Sequence, residues 1–256
     1  MTRLVSWNVN GIRAVLRKGF LDWLAQEDPD VLCVQELKAQ PDQVGLELQQ
    51  PLGLYESHFD WGERKGYSGV GIFTKRKPLH VSQGLGIRRF DEEGRLLQVE
   101  FDAFTLLTIY FPNGQSSEER LQFKLDYYDA FLEHVEKLRA RGHKVVACGD
   151  YNTAHHALDL ARPKANQKTS GFLPVERAWL DKLEAHGYLD TFRLFNKLPE
   201  NYTYWDMKSF ARDRNMGWRI DYFYVSPDLA PSILAAGILP NVLGSDHCPT
   251  TLTLAV

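Results

Sequence analysis

Hydrophobic residues in this chain come in short runs bordered by glycine, proline, asparagine or aspartate. The runs are rich in β-branched and aromatic residues, and their length favours buried strands over helices. The predicted strands are Leu4–Val9, Val31–Gln35, Val70–Thr74, Leu96–Phe101, Phe104–Phe111, Val145–Cys148, Ile220–Val225 and Thr250–Val256.

Two other segments repeat at helical spacing. The first opens with Ser-Ser-Glu-Glu at 116–119, the pattern of a capping box. The second opens with Pro174 in its first turn and ends at His186-Gly187. Their apolar stripes are Leu121, Leu125, Tyr128, Leu132 and Val135 in the first, and Val175, Trp179 and Leu183 in the second. Many strands with a few interspersed helices predict a layered α/β sandwich, with sheets inside and helices outside.

Composition adds constraints on domains and partners. The 256 residues contain no repeat, low-complexity tract or Pro/Gly/Ser linker, so we expect one domain over 1–256. The formal net charge is −3, so charge alone does not indicate a nucleic-acid binder. A DNA enzyme of this composition has to separate a basic face from acidic metal ligands.

The cysteines and the N-terminus bear on location. Three cysteines, Cys33, Cys148 and Cys248, are too few for a disulfide framework and lack zinc-site spacing. They indicate a reducing compartment. The chain enters a strand pattern without a signal-peptide run and has no apolar stretch near the roughly 20 residues that a membrane helix needs. We expect a soluble cytoplasmic protein with no membrane partner, nucleoid-associated if prokaryotic.

Polar residues recur where the apolar runs end. If the strands of a packed sandwich end along one rim, these side chains meet there on rigid supports. The residues concerned are Asn8, Asn10, Glu36, Tyr110, Asn113, Asp150, Asn152, Asp246 and His247.

The sequence Gly-Asp-Tyr-Asn at 149–152 follows a predicted strand. It places a carboxylate and an amide on alternating positions, so both can face one side. Asp150 is then a candidate base or metal ligand, and Asn152 a candidate phosphate contact. In isolation the pattern fits an ordinary strand-to-turn junction better.

Asp246 and His247 stand in a loop, 244–249, that glycine and proline bound. A hard metal ligand is thus beside a group able to donate to a phosphate oxygen. A surface turn with a solvated histidine is the alternative.

Other polar residues have two interpretations each. Asn8 and Asn10 lie on one strand face, and Glu36 ends an apolar run. Glu36 is either the first solvated residue after its strand or, with Asp246, a site that suits Mg²⁺, which prefers oxygen ligands. Asp221, in an aromatic strand, either orients an imidazole or is satisfied by backbone donors.

Aromatic and basic residues are less specific. Tyr202, Tyr204, Trp205 and Trp218 fit core packing by default, or an apolar pocket for an extruded sugar or base. Basic side chains spread among the motif-bearing loops suit DNA phosphates and are also ordinary on a surface.

Taken together, the motifs resemble the exonuclease III / class II apurinic-apyrimidinic endonuclease family of the DNase I-like endonuclease/exonuclease/phosphatase superfamily. The matching segments run in one order over nearly the whole chain. They are SWNVNGIRA (6–14), LCVQELK (32–38), KGYSGVGIFTK (65–75), IYFPNG (109–114), CGDYNTAH (148–155), SGFLPVERAWLD (170–181), NMGWRIDYFYVS (215–226) and LGSDHCP (243–249).

The resemblance implies a four-layer α/β sandwich, two packed mixed β-sheets flanked by helices, and a role for each motif residue. Metal-site candidates are Asn8, Asn10, Glu36, Asp150, Asn152 and Asp246. Catalytic candidates are Tyr110, Asp150, Asn152, Asp221 and His247. Substrate-binding candidates are Arg13, Asn113, Asn166, Tyr204, Trp218 and Ile220. Glu36 resembles the principal Mg²⁺ ligand, Asp150 the base or a ligand of a second metal, and His247, oriented by Asp221, the transition-state donor.

The activity implied is base excision repair of damaged DNA: a Mg²⁺-dependent cut 5′ to abasic sites in duplex DNA that leaves a 3′-hydroxyl. Mn²⁺ is the expected substitute, 3′→5′ exonuclease and 3′-phosphodiesterase/phosphatase activities accompany the cut, and the protein is expected to be a monomer. The alternatives are an enzyme that mainly trims 3′ ends or cuts at uracil, and a non-catalytic DNA-binding module. Thr169 and Tyr204 depart from some relatives and bear on substrate range.

Overall fold

The computed structural model describes residues 1–256, apart from the side chain of Ser209. Within that part of the chain, twelve strands form two six-stranded sheets. The strands are β1 (Thr2–Asn8), β2 (Val31–Gln35), β3 (Glu56–Asp60), β4 (Val70–Thr74), β5 (His80–Gln83), β6 (Leu96–Glu100), β7 (Thr105–Tyr110), β8 (Val145–Asp150), β9 (Leu189–Asp190), β10 (Asp221–Val225), β11 (Ile233–Ile238) and β12 (Thr250–Leu254).

Both sheets are mixed. The first has the order β11-β12-β1-β2-β4-β3, and the second has the order β5-β6-β7-β8-β10-β9. β1 pairs with β2 in parallel, β7 pairs with β8 in parallel, and the remaining neighbours are antiparallel.

Helices cover the outer faces of the sheets. They are α1 (Ile12–Leu16), α2 (Phe20–Glu27), α3 (Leu46–Gln49), α4 (Arg88–Asp91), α5 (Glu118–Ala140), α6 (Pro174–Ala185) and α7 (Thr191–Phe195). None of the helices in the described part of the chain has the length and apolar character needed to cross a membrane.

Three apolar clusters define the layers. One lies between the sheets, with Leu4 and Ile72 from the first sheet against Leu106 and Phe223 from the second. Another joins the second sheet to α5 and α6, and the third joins the first sheet to α1, α2 and α3. Because each sheet buries both faces, its central strands are apolar on consecutive residues. The predicted four-layer α/β sandwich is confirmed.

Every predicted strand is present, with ends that differ by up to two residues. The four strands that the sequence did not predict, β3, β5, β9 and β11, are the four sheet edges. An edge strand pairs on one side only, and these four are partly exposed. Their sequences therefore lack the continuous apolar runs on which the prediction relied.

Both predicted helices are also present. Ser117 caps α5 by accepting a hydrogen bond from the Arg120 backbone N–H. The prediction of the apolar stripe of α6 was partly wrong, because Trp179 and Leu183 are buried but Val175 is 48% exposed. Its neighbour Glu176 is buried instead, in a polar network described below.

Gly149 marks the closest approach of two central strands. Its φ is 139°, and a Cβ built on it would lie 1.9 Å from the Ile109 carbonyl oxygen on β7. Any larger residue would push β8 away from β7 directly beside Asp150.

We predict that Gly149→Ala destabilises the fold by about 3 kcal/mol or more, since backbone strain and overpacking act together. Urea unfolding would measure the change. Gly142→Ala is the matched control, because φ there is 88° but no atom lies within 4 Å of the added Cβ. Equal losses in the two variants would show that φ alone, and not strand contact, accounts for Gly149.

Candidate active site

Six strands bring polar residues to one rim of the sandwich. β1, β2, β7 and β8 end there, and β10 begins there because it runs antiparallel to β8. β12, antiparallel to β1, begins there too, just after the 244–249 loop. The register places Asp150 opposite Tyr110 of β7 on one side and opposite Asp221 of β10 on the other.

The rim encloses a cavity of about 440 Å³. Glu36 and Asp246, 210 positions apart in the sequence, both line it. The other predicted site residues that line it are Asn10, Tyr110, Asn113, Asp150, Asn152, Asn166, Tyr204, Trp218, Ile220 and His247. Asn8 and Asp221 lie directly behind it, hydrogen-bonded to lining residues. Arg13 is exposed and not in the lining; it donates to the Lys38 carbonyl oxygen.

Asn8 links the two sheets at the cavity floor. Its side-chain NH₂ donates to Glu36 Oε1 and to Asp150 Oδ2, each at 2.9 Å. Asp150 Oδ1 accepts from the Asn152 backbone N–H at 2.7 Å. Asn152 in turn accepts from Asn113 Nδ2 at 3.1 Å. Hydrogen bonds thus fix both oxygens of the buried Asp150 carboxylate.

Lys38 is a site residue that sequence reasoning did not identify. Its ammonium lies 2.6 Å from Glu36 Oε2 and also donates to Asn10 Oδ1. Asn10 Nδ2 donates to Asp246 Oδ1 at 2.9 Å. A cationic group therefore already contacts the carboxylate and amide oxygens of this cluster. Its proximity to Glu36 in the LCVQELK segment was the available signal.

Several site residues have left-handed backbone conformations. Asn10, Glu36, Lys38 and Asn152 have φ between 45° and 55°. Non-glycine residues seldom adopt such angles, and they persist only where surrounding contacts hold them. The hydrogen bonds of the cluster supply those contacts.

A buried ion pair supports the loop beyond Asp150. Lys124 Nζ on α5 lies 2.6 Å from Glu176 Oε1 and donates to the Asn152 carbonyl oxygen and Thr153 Oγ1. Glu176 also accepts from the Gly171 backbone N–H. Sequence patterns gave no sign of this network, because a Lys and a Glu on helices are normally solvated.

His247 is paired with Asp221, as one of the two interpretations of Asp221 had it. Nδ1 lies 2.9 Å from Asp221 Oδ2, and Nε2 faces Asp150 Oδ2 at 3.9 Å. Burial works to lower the pKa of His247, but the charges of Asp221 and Asp150 outweigh it and raise the pKa to about 10. Burial and the Asp221 charge raise the pKa of Asp150 to about 7. The imidazole is therefore a cationic donor at neutral pH.

The cluster suits a divalent cation. Carboxylate oxygens of Glu36 and Asp150 lie within 4.8 Å of each other and of a His247 ring nitrogen, which as an imidazolium donates hydrogen bonds and does not bind a metal. Asp246 adds a carboxylate to the same cavity. Repulsion among the carboxylates contributes to the raised pKa of Asp150, and a bound cation would offset it. Oxygen-rich donors of this kind are those that hard cations prefer.

An apolar wall closes one side of the cavity. Tyr204, Trp218 and Ile220 pack with buried Leu160 and Phe172. Further lining residues that were not assigned roles from the sequence are Lys38, Gln115, Thr169, Ser170, Gly171 and Asp206. The cavity thus joins a charged floor to an apolar side.

Residues 5–247 match the model of the Endonuclease/Exonuclease/phosphatase family. The Bacillus subtilis exodeoxyribonuclease is 41% identical over 256 residues, covering 99% of this chain and 100% of that protein. The Danio rerio DNA repair nuclease APEX1 is 40% identical, with 99% of this chain and 82% of that protein covered.

Solved structures of lower sequence identity have the same fold over the whole chain. An AP endonuclease from Archaeoglobus fulgidus superposes with a TM-score of 0.91 at 27% identity, covering 100% of both chains. The 3′ phosphatase NExo from Neisseria, bound to a product DNA hairpin, gives a TM-score of 0.90 at 27% identity, also over 100% of both chains.

We predict that the His247 imidazole stays protonated to pH values well above those of an ordinary histidine and that Asp221→Asn lowers its pKa. A pKa raised in the folded state means that the ion pair stabilises the fold fully below about pH 6.5, the unfolded value, and less as pH rises through about 10. An NMR titration of the imidazole nitrogens without divalent ions would test this. An unchanged His247 titration in Asp221→Asn would contradict the assigned pairing.

Proposed function

Because the chain belongs to the endonuclease/exonuclease/phosphatase family, we propose that it is a DNA-repair hydrolase that cuts duplex DNA 5′ to abasic sites and leaves a 3′-hydroxyl. The same site removes 3′-blocking groups and trims 3′ ends. The observation that carries the proposal is a buried, oriented carboxylate, Asp150, facing a charged imidazole, His247, at 3.9 Å across one cavity.

The metal of this enzyme is Mg²⁺, with Mn²⁺ as a substitute. Glu36 would be its principal ligand, with Asp246 and Asn10 beside it and Asn8, Asp150 and Asn152 as further candidates. When bound, Mg²⁺ stabilises negative charge on the phosphate and the leaving oxygen. Displacement of the Lys38 ammonium from Glu36 would free that carboxylate for the metal.

Asp150 is the base in this mechanism. Its pKa of about 7 matches a group that accepts a proton from water near neutral pH. Asn8 and the Asn152 N–H hold its oxygens, so the carboxylate does not reorient when it takes the proton.

His247 stabilises the charge that develops on the phosphorus. Its Nδ1–H is committed to Asp221, which leaves Nε2–H to donate to a non-bridging phosphate oxygen. One Asn152 Nδ2 hydrogen donates to the Phe111 carbonyl oxygen at 2.8 Å, and the other, now 3.4 Å from Asp150 Oδ2, would donate to the same phosphate. Tyr110 also lines the cavity. Burial is the main cause that raises its pKa well above 10, and the Glu36 charge adds to it, so Tyr110 acts as a neutral hydroxyl donor.

The apolar wall selects the lesion. An abasic sugar has no base to unstack or unpair, so it turns out of the duplex at a low energetic cost. Tyr204, Trp218 and Ile220 would receive it, and Asn166 and Arg13 would contact flanking phosphates. The proposed partner is double-stranded DNA, and the protein is proposed to act as a monomeric single domain in the cytoplasm.

We predict that the purified chain cleaves a duplex with one abasic site when Mg²⁺ is present and not when a chelator replaces it. Asp150→Asn and His247→Asn should each lower kcat about 100-fold or more, because each removes an interaction that the transition state requires. Gel analysis of the products gives the rates, and DNA-binding anisotropy should change little.

Asp228→Asn and His80→Asn are the matched controls, since both positions are exposed and outside the cavity. A cleavage rate unaffected by chelator would exclude the metal role. Full activity in Asp150→Asn and His247→Asn would exclude their proposed roles. Rates on abasic, 3′-phosphate and uracil duplexes would rank the activities.

We predict that Trp218→Ala lowers kcat/KM on the abasic duplex about tenfold or more and that Trp218→Phe restores most of it. Losing one wall of an apolar pocket has an effect of this size. Steady-state kinetics on the abasic duplex and on a recessed undamaged 3′ end would be compared. An equal loss on both substrates would contradict a sugar-binding role for this wall.

A further inference from the structure

A second cluster of metal-ligating side chains lies outside the catalytic cavity. His155 and His156 come just after the Asn152 loop, and Asp181 and Glu184 lie on α6. Ligand atoms of His155, His156 and Glu184 all lie within 4.8 Å of one another. The proposed hydrolysis uses none of these residues.

His155 presents an unused nitrogen to this cluster. The ring is 1% exposed, and its Nε2 lies 2.7 Å from Asp181 Oδ1. Since a carboxylate only accepts hydrogen bonds, Nε2 carries a proton. Nδ1 is buried, makes no hydrogen bond of ordinary length among the described residues, and has the Glu184 carboxylate opposite it at 3.5 Å. A divalent ion placed between the two would displace the proton that Nδ1 carries when the imidazole is charged.

Glu184 stands opposite that nitrogen. Its Oε1 is 3.5 Å from His155 Nδ1. Two ligands of a tetrahedral zinc ion lie about 3.3 Å apart when each bond is about 2.0–2.1 Å. The pair is therefore already close to the spacing of two zinc ligands. The Tyr224 hydroxyl donates to the same carboxylate oxygen at 3.4 Å, which helps to orient it.

His156 completes a possible set of three protein ligands. Its ring stacks on His155 with centroids 3.7 Å apart, and it is only partly buried. Because stacked rings cannot both point a lone pair at one ion, His156 has to turn toward Glu184 to bind. A cavity of about 420 Å³, lined by His156, Glu184, Tyr188 and Arg193 among others, gives it room and provides an entry path.

We propose that His155 Nδ1, His156 and Glu184 bind a borderline divalent transition-metal ion, Zn²⁺ in the best-fitting case. Asp181 orients His155 from behind, the arrangement in which a carboxylate holds a metal-bound imidazole. Two imidazoles and one carboxylate select against Mg²⁺, which prefers oxygen ligands, so this site and the catalytic cluster take different ions. The ion would tie α6 to the segment that follows Asn152.

The test uses the full chain carrying Asp150→Asn with saturating Mg²⁺, so that the catalytic cluster does not compete for zinc. Titration calorimetry with Zn²⁺ should give one equivalent bound, and Co²⁺ should give visible absorption bands at the same stoichiometry. His156→Ala or Glu184→Gln should weaken binding at least tenfold. Asp181→Asn should weaken it about 10- to 100-fold, the usual effect of removing such a support.

His186→Ala is the matched control, because His186 lies at the end of α6 but pairs with Glu136 instead. Unchanged zinc affinity in both His156→Ala and Glu184→Gln, or no stoichiometric binding in the background variant, would overturn the proposal. Both substituted side chains are partly exposed, so the fold should survive. Thermal melting without metal checks this, and if one variant melts early the other decides the question.

Discussion

The polar rim of the sandwich depends on a buried carboxylate with like charges beside it. Asp150 lies in the register between Tyr110 and Asp221, with Glu36 nearby, and burial together with the Asp221 charge raises its pKa to about 7. Such a group is unfavourable unless hydrogen bonds and an opposite charge offset its desolvation. Asn8, the Asn152 N–H and the His247 imidazolium supply both. The left-handed residues at the rim persist because this network holds them.

The predictable part of the fold is the part that is buried on both sides. Central strands such as β2 and β4 have continuous apolar runs, and the predicted bounds of both match the structure. The four edge strands were missed because one side of each is unpaired and partly exposed. Val175 was misassigned because apolar residues of a helix were expected to face the interior. At the start of α6 the interior is a polar network around Glu176, so Val175 faces solvent.

The site divides along similar lines. Residues at strand ends, such as Glu36 and Asp246, could be predicted to meet because strands of a sandwich share a rim. Lys38 was missed, since a lysine after a strand is usually solvated. Lys124 and Glu176 were missed because they are buried only as a pair. A pattern of single residues does not show which charges pair. Pairing is a property of the packed helices and becomes visible only in three dimensions.

The Asn8 side chain has a consequence for how the two halves of the molecule depend on each other. It belongs to one sheet, yet it donates to Asp150 on the other as well as to Glu36. Both hydrogen bonds of this amide can form only at the observed spacing between the two sheets. Core substitutions between the sheets, such as those at Leu4 or Val146, would shift the Asp150 carboxylate relative to Glu36 while leaving each sheet intact. The packing of that middle layer therefore bears on the polar rim as well as on stability.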